Sequence, residues 1–284
     1  MLVNEKQSVG CYTMGLVSLS TGWLPRLEER PYYELSTVLK VMKRFSQERH
    51  VDGFEFGLLP EWDCENPPLT PAQGLPDCEK HGLDEILAKL LREDFRILSV
   101  HASRDVGCYL CSEEEQKFAK GLRLLEDSLR FCRSLKVNLC VVHFWDPWKK
   151  SFDVARLRRV HEEFQNKFPD VAISVENIPT VIDGRTPFSL MHGLRHVTLD
   201  LKWASMFNEF DLFLDRLDAV DNVHIQGKSR LGSFYPTVGN LDYERALLQL
   251  AGMGYSRLFT VELDGKATFQ EILSYAEKLK NIEN

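Results

Sequence analysis

Seven ionisable side chains stand near the ends of short β-branched runs, and their types suit metal binding and proton transfer. Glu176 lies in VAISVEN, Asp200 in HVTLDLK, His224 in NVHIQGK and Glu262 in LFTVELD. Glu55 (GFEFGL), His101 (RILSVHAS) and His143 (NLCVVHFW) hold comparable places. Gathered in one place, such groups are costly to bury unless they are paired or share a cation. Two or three carboxylate oxygens with an imidazole suit Mn²⁺, Zn²⁺, Co²⁺ or Mg²⁺, and the sequence does not choose among them. Lys202, Lys228 and Arg230 follow the runs that carry Asp200 and His224. They either recognise a phosphate or carboxylate on a substrate or neutralise the carboxylate cluster. Glu55 either orients a substrate hydroxyl or pairs with one of these cations. Trp62, Trp145, Trp148 and Trp203 fall at or past the ends of such runs, where aromatics wall a sugar's apolar face or simply pack. Cys108 and Cys111 form a C-x-x-C, with Cys64 and Cys78 in a preceding loop. A structural zinc site is one reading of these four, and unrelated reduced thiols are the plainer one.

These residues need elements to place them. Strand-like runs cover 15–20, 53–58, 96–103, 138–145, 171–177, 196–202, 222–228 and 258–264. Between them lie helical periods such as 113–135, 153–168, 208–220 and 242–253, with 268–280 closing the chain. Eight strands alternating with helices predict a parallel sheet closed into a (β/α)8 TIM barrel of class α/β, one domain over 1–284. A doubly wound open sheet is the rival, and it lacks a G-x-G-x-x-G after the first strand. Alternate side chains of a strand face opposite ways. One face collects Val17, Leu19, Phe54, Phe56, Val100, Val142, Ile173, Val175, Leu199, Ile225 and Val261, bulky enough to pack against helices. The other collects Ser18, Glu55, Ser99, His101, His143, Ser174, Glu176, Thr198, Asp200, Lys202, His224, Gln226, Lys228, Thr260, Glu262 and Asp264. It faces the barrel interior, with small residues first and ionisable ones towards the C-terminal mouth, where such barrels do their chemistry.

Composition narrows the class. The 284 residues are 44% hydrophobic and 27% charged, the balance of a globular domain able to bury a core without disulfides. A net charge of −7 opposes nucleic acid as the default partner. The start, MLVNEKQSVG, lacks a cationic stretch leading into an apolar run, and no run is long enough to span a bilayer. Seven cysteines with no secretory signal read as reduced thiols, so a cytoplasmic location is expected. Association into homo-oligomers is left open.

The segments SVHA (99–102), VVHFWDP (141–147), ISVENIP (173–179), VTLDLKW (197–203), VHIQGK (223–228), VGNLDYERAL (238–247) and FTVEL (259–263) resemble, in order and spacing, the xylose-isomerase-like TIM barrels. DGFEFG (52–57) fits the second strand, so the resemblance covers nearly the whole chain. That family includes sugar phosphate isomerases, epimerases and apurinic endonucleases. The resemblance implies one divalent metal held by Glu176, Asp200, His224 and Glu262. It also implies that Glu176 and Glu262 act as an acid/base pair on the two faces of a substrate, exchanging a proton through an enediolate. The match has departures. Trp203 stands where the sixth strand of the family often carries a second histidine, and SRLGSFYPTVG (229–239) has no Asp or His for a further zinc. His101 and His143 match metal positions of the endonuclease branch and are read here first as substrate contacts. The expectation is a divalent-metal-dependent isomerase or epimerase of a small sugar, keto-sugar or polyol derivative. The alternative is a metal-dependent hydrolase or lyase, such as an endonuclease-like phosphodiesterase.

Overall fold

The computed structural model describes residues 15–31, 33–63, 69, 79–230 and 233–282, apart from the side chain of Arg230. Eight parallel strands close on one another: β1 (Leu16–Ser20), β2 (Gly53–Gly57), β3 (Ile97–His101), β4 (Leu139–Val142), β5 (Ala172–Glu176), β6 (Val197–Asp200), β7 (Val220–Arg230) and β9 (Leu258–Leu263). They neighbour one another in chain order, and β9 pairs with both β7 and β1, so no barrel strand is left as an edge. The short β8 (Ser233–Tyr235) folds back antiparallel on the far end of β7.

The period-two pattern explains the closure. Val17, Leu19, Phe54, Phe56, Val100, Val142, Ile173, Val175, Leu199, Ile225 and Val261 are all buried against the surrounding helices. Each such side chain contributes about 1.5–3 kcal/mol by leaving water. Helices α1 (Leu35–Phe45), α2 (Leu83–Glu93), α4 (Glu115–Leu135), α5 (Val154–Lys167), α9 (Tyr243–Gly252) and α10 (Phe269–Lys280) make up much of that outer layer, and the short α3 (Val106–Leu110) packs along α4. Asp153, Asp242 and Thr268 cap α5, α9 and α10 by accepting backbone N–H groups of the first turn. On the other face Ser18, Glu55, Ser99, Ser174, Thr198, His224 and Thr260 are buried polar residues. Several pair across strands, as in the Ser174–Thr198 hydroxyl pair at 2.7 Å.

Three expected boundaries shift. The run 196–202 is not strand throughout: β6 stops at Asp200, and α7 (Leu201–Phe207) begins at once. The Asp200 carboxylate accepts from the backbone N–H of Lys202 and Trp203, an N-cap that turns the chain into a helix. Lys202 therefore stands on a helix and not in an inward strand position. The helix expected over 208–220 shortens to α8 (Phe210–Leu214), followed by a 3-10 turn at Leu217–Ala219 and the start of β7 at Val220. The run 138–145 ends at Val142, which leaves His143 just past the strand. Gly107 of α3 fits there only because it lacks a side chain, since a Cβ would lie 2.4 Å from the Trp145 carbonyl oxygen and 2.7 Å from that of His143.

Candidate active site

Strands β2, β3, β5, β6, β7 and β9, with the residue after β4, bring Glu55, His101, Glu176, Asp200, His224, Glu262 and His143 together. Register does the placing: Asp200 lies opposite His224, and Gln226 opposite Glu262. Glu176 is the hub. Its Oε2 accepts from His101 Nε2 at 3.1 Å and from His143 Nε2 at 3.0 Å, while Oε1 lies 3.7 Å from His224 Nδ1. Glu262 Oε1 is also 3.7 Å from His224 Nδ1. Glu262 and His101 border a mouth cleft of about 150 Å³ together with Ser20, Leu58 and Arg104.

The electrostatics are out of balance. Burial pushes Glu176 up, but the His143 and His224 charges and the histidine hydrogen bonds outweigh it and hold the group well below the ordinary carboxylate value. Burial and the nearby Glu176 charge push Asp200 well above its ordinary value. Glu262 is raised by burial, which the His224 charge only partly offsets, and by the charges of Glu176 and Glu55. Burial opposes protonation of His224, yet Glu55, Glu262 and Glu176 raise it well above 6.5. His101 climbs to about 9 against its own burial, through its hydrogen bond to Glu176 and that group's charge. Asp200 Oδ2 and His224 Nδ1 are buried and have no hydrogen-bond partner. Buried polar atoms of this kind nearly always have one. Ligand atoms of Glu176, Asp200 and His224 lie within 4.8 Å of one another. A donor set of hard oxygens and one imidazole nitrogen, with two donors orphaned, fits a divalent cation.

The other expected residues fall in several places. Lys202 pairs with Asp264 at 2.8 Å, so its charge is spent at the rim beside the Trp203 ring. Lys228 is exposed beyond the barrel on β7, and the side chain of Arg230 lies outside the described residues. Glu55, expected among the substrate contacts, is fully buried beneath His224 and reaches no solvent. Trp62 and Trp145 are buried and donate to the carbonyls of Tyr33 and Pro179, which makes them packing residues. Cys108 and Cys111 are free thiols, each pushed up to about 12 by burial, so neither is primed as a thiolate ligand. Cys64 and Cys78 lie outside the described residues.

Sequence reasoning missed three residues. Asn177, directly after Glu176, donates from Nδ2 to the Asp200 carbonyl at 3.1 Å and accepts the Asp200 N–H at 2.5 Å. Asn222 donates to Glu55 at 3.0 Å. Its even-numbered place in line with His224 was a signal that period-two reading could have used. Arg104 at the mouth donates to the buried Glu61 at 3.0 Å, a pairing that no spacing announced.

No protein-family model matches the chain, and no curated protein does. Solved structures do match. A D-allulose 3-epimerase from Methylomonas sp., in complex with D-allulose, is 15% identical with a TM-score of 0.63, over 98% of this chain and 100% of its own. A sugar phosphate isomerase/epimerase from Parabacteroides distasonis is 13% identical with a TM-score of 0.63, over 98% of each chain. A family 2 AP endonuclease from Brucella melitensis is 16% identical with a TM-score of 0.59, over 95% of this chain and 100% of its own. What the chain shares with these structures is the (β/α)8 barrel fold.

Proposed function

We propose that this chain is a divalent-metal-dependent isomerase or epimerase of a small sugar, keto-sugar or polyol derivative. In this reading Glu176, Asp200, His224 and Glu262 hold the cation, which is Mn²⁺, Co²⁺, Zn²⁺ or Mg²⁺. The observation that carries it is the pair of orphaned buried donors, Asp200 Oδ2 and His224 Nδ1, facing Glu176 and Glu262 at the mouth of the barrel. A cation there would polarise a carbonyl and its neighbouring hydroxyl and so acidify the C–H bond between them.

The chain's own residues supply the proton transfers. Glu176 is held as a carboxylate by His101 and His143 and takes the proton from carbon. Glu262, whose Oε1 also lies 3.7 Å from His224 Nδ1, delivers a proton to the opposite face. Return of the first proton by the same face gives back substrate, and delivery by the other inverts the centre. His101 and His143, partly exposed beside the cleft, are the proposed contacts for substrate hydroxyls, with Lys202 and Trp203 further out on the rim. The bound sugar of the Methylomonas enzyme supports a carbohydrate substrate of this size. The test incubates the protein with each divalent ion and a ketohexose panel, D-allulose included, in D₂O. Deuterium appearing at a carbon next to the carbonyl, and lost in Glu176→Gln, is the expected result. Metal-loaded protein that exchanges no such proton in any keto-sugar or polyol derivative would sink the proposal.

A second reading, a metal-dependent phosphodiesterase, rests on the His101–His143–Glu176 group, whose ligand atoms also lie within 4.8 Å of one another. It requires two metal equivalents, the second lost in His143→Ala, and cleavage of an abasic duplex.

A further inference from the structure

Beneath His224 the barrel interior holds a polar chain drawn from β2, β3, β7 and β9. Glu55, fully buried, takes three hydrogen bonds on Oε2: from Ser99 Oγ at 2.8 Å, Asn222 Nδ2 at 3.0 Å and His224 Nε2 at 3.2 Å. Thr260 donates to Asn222 Oδ1 at 3.0 Å, which turns the Asn222 amide so that its NH₂ faces Glu55. A carboxylate offers only acceptors, so the His224 nitrogen it touches must carry the proton. In the neutral ring that a cation would bind, Nδ1 is then the free nitrogen, and it is the atom that lies 3.7 Å from both Glu176 and Glu262.

We infer that Glu55 is a positioning residue: it fixes His224 with the proton on Nε2 and aims Nδ1 at the cation. Ser99, Asn222 and Thr260 hold Glu55 in that pose. This rests on the metal reading above, and it gives Glu55 a role at the metal's rear instead of among substrate contacts. Partners of this kind orient a ligating imidazole and raise its basicity, and removing one weakens metal affinity about 10–100-fold.

The experiment measures Mn²⁺ and Co²⁺ affinity by calorimetry for wild type, Glu55→Gln and Glu55→Leu. Glutamine can still accept the Nε2 proton, so Glu55→Gln should lie within several-fold of wild type, while Glu55→Leu falls by about 10–100-fold. A second measurement needs no variant: ¹¹³Cd bound to ¹⁵N-histidine-labelled wild type should couple to the Nδ1 of His224. Coupling through Nε2, or Glu55→Leu binding as tightly as wild type, would overturn the inference and leave the metal reading standing. Equal losses in the two variants would also overturn it, because a merely structural role predicts no rescue by glutamine. If wild type binds no divalent ion, the metal reading and this inference fall together.

Discussion

Asp200 performs two tasks with one carboxylate. Oδ1 caps α7, and Oδ2 has no partner among acidic neighbours that push the group towards its neutral form. Asparagine can keep the cap while giving up the charge. Asp200→Asn should therefore change the metal-free stability by no more than about 1 kcal/mol, the size of one net hydrogen bond. Wild type with a cation at 100 times its Kd should gain about 2.7 kcal/mol, and the variant should gain almost none. Thermal unfolding with and without Mn²⁺ checks both statements. Glu262 shows the complementary case. Glu262→Gln should cut turnover by about 10²–10⁴-fold, the usual share of a positioned acid or base, in steady-state assays on whichever sugar exchanges deuterium. At this scale the sequence was informative about identity and weak about partners. The ionisable residues could be picked out because strand parity set them on one face. Glu55 read as a substrate contact because its partner His224 lies 169 positions away, and only closure of the barrel puts one beneath the other.

Elements fix where those side chains end. β6 and α7 meet at Asp200 because the cap outcompetes a strand pattern that continues through Leu201, and that competition is invisible to alternation alone. The strand run expected to end at 228 continues to Arg230, because Lys228–Arg230 pair with β8 and not with the barrel. The helix over 153–168 was legible, because α5 keeps its period and its Asp153 cap. Its His161 is buried against the Phe144 ring, bonded to the Ile173 carbonyl, and depressed below 6.5 by that burial. As pH falls through about 6.5 the unfolded chain takes up a proton that folded His161 resists, so stability declines. Urea unfolding of His161→Leu across pH 5–7.5 should show a flatter acid-side slope than wild type. On the mouth side, Gly107→Ala sets a Cβ against the backbone that carries His143. Overpacking of that kind costs about 1–3 kcal/mol, to be read as a lowered Tm.

The whole molecule was the most legible scale, since eight alternating strand and helix units leave few other architectures for 284 residues. The closed barrel follows from apolar outer faces packed on helices, and it leaves its acidic interior with more negative groups than its histidines can balance. No described helix is long and apolar enough to cross a membrane. The central claim is that a divalent cation completes this interior. Elemental analysis of tag-free protein, beside a Glu176→Gln/Glu262→Gln variant, tests it most directly. The account predicts about one equivalent of Mn, Co, Zn or Mg in wild type, lost in the variant. Wild type that takes up none of these ions when each is added back, or a variant that keeps its metal, would contradict it.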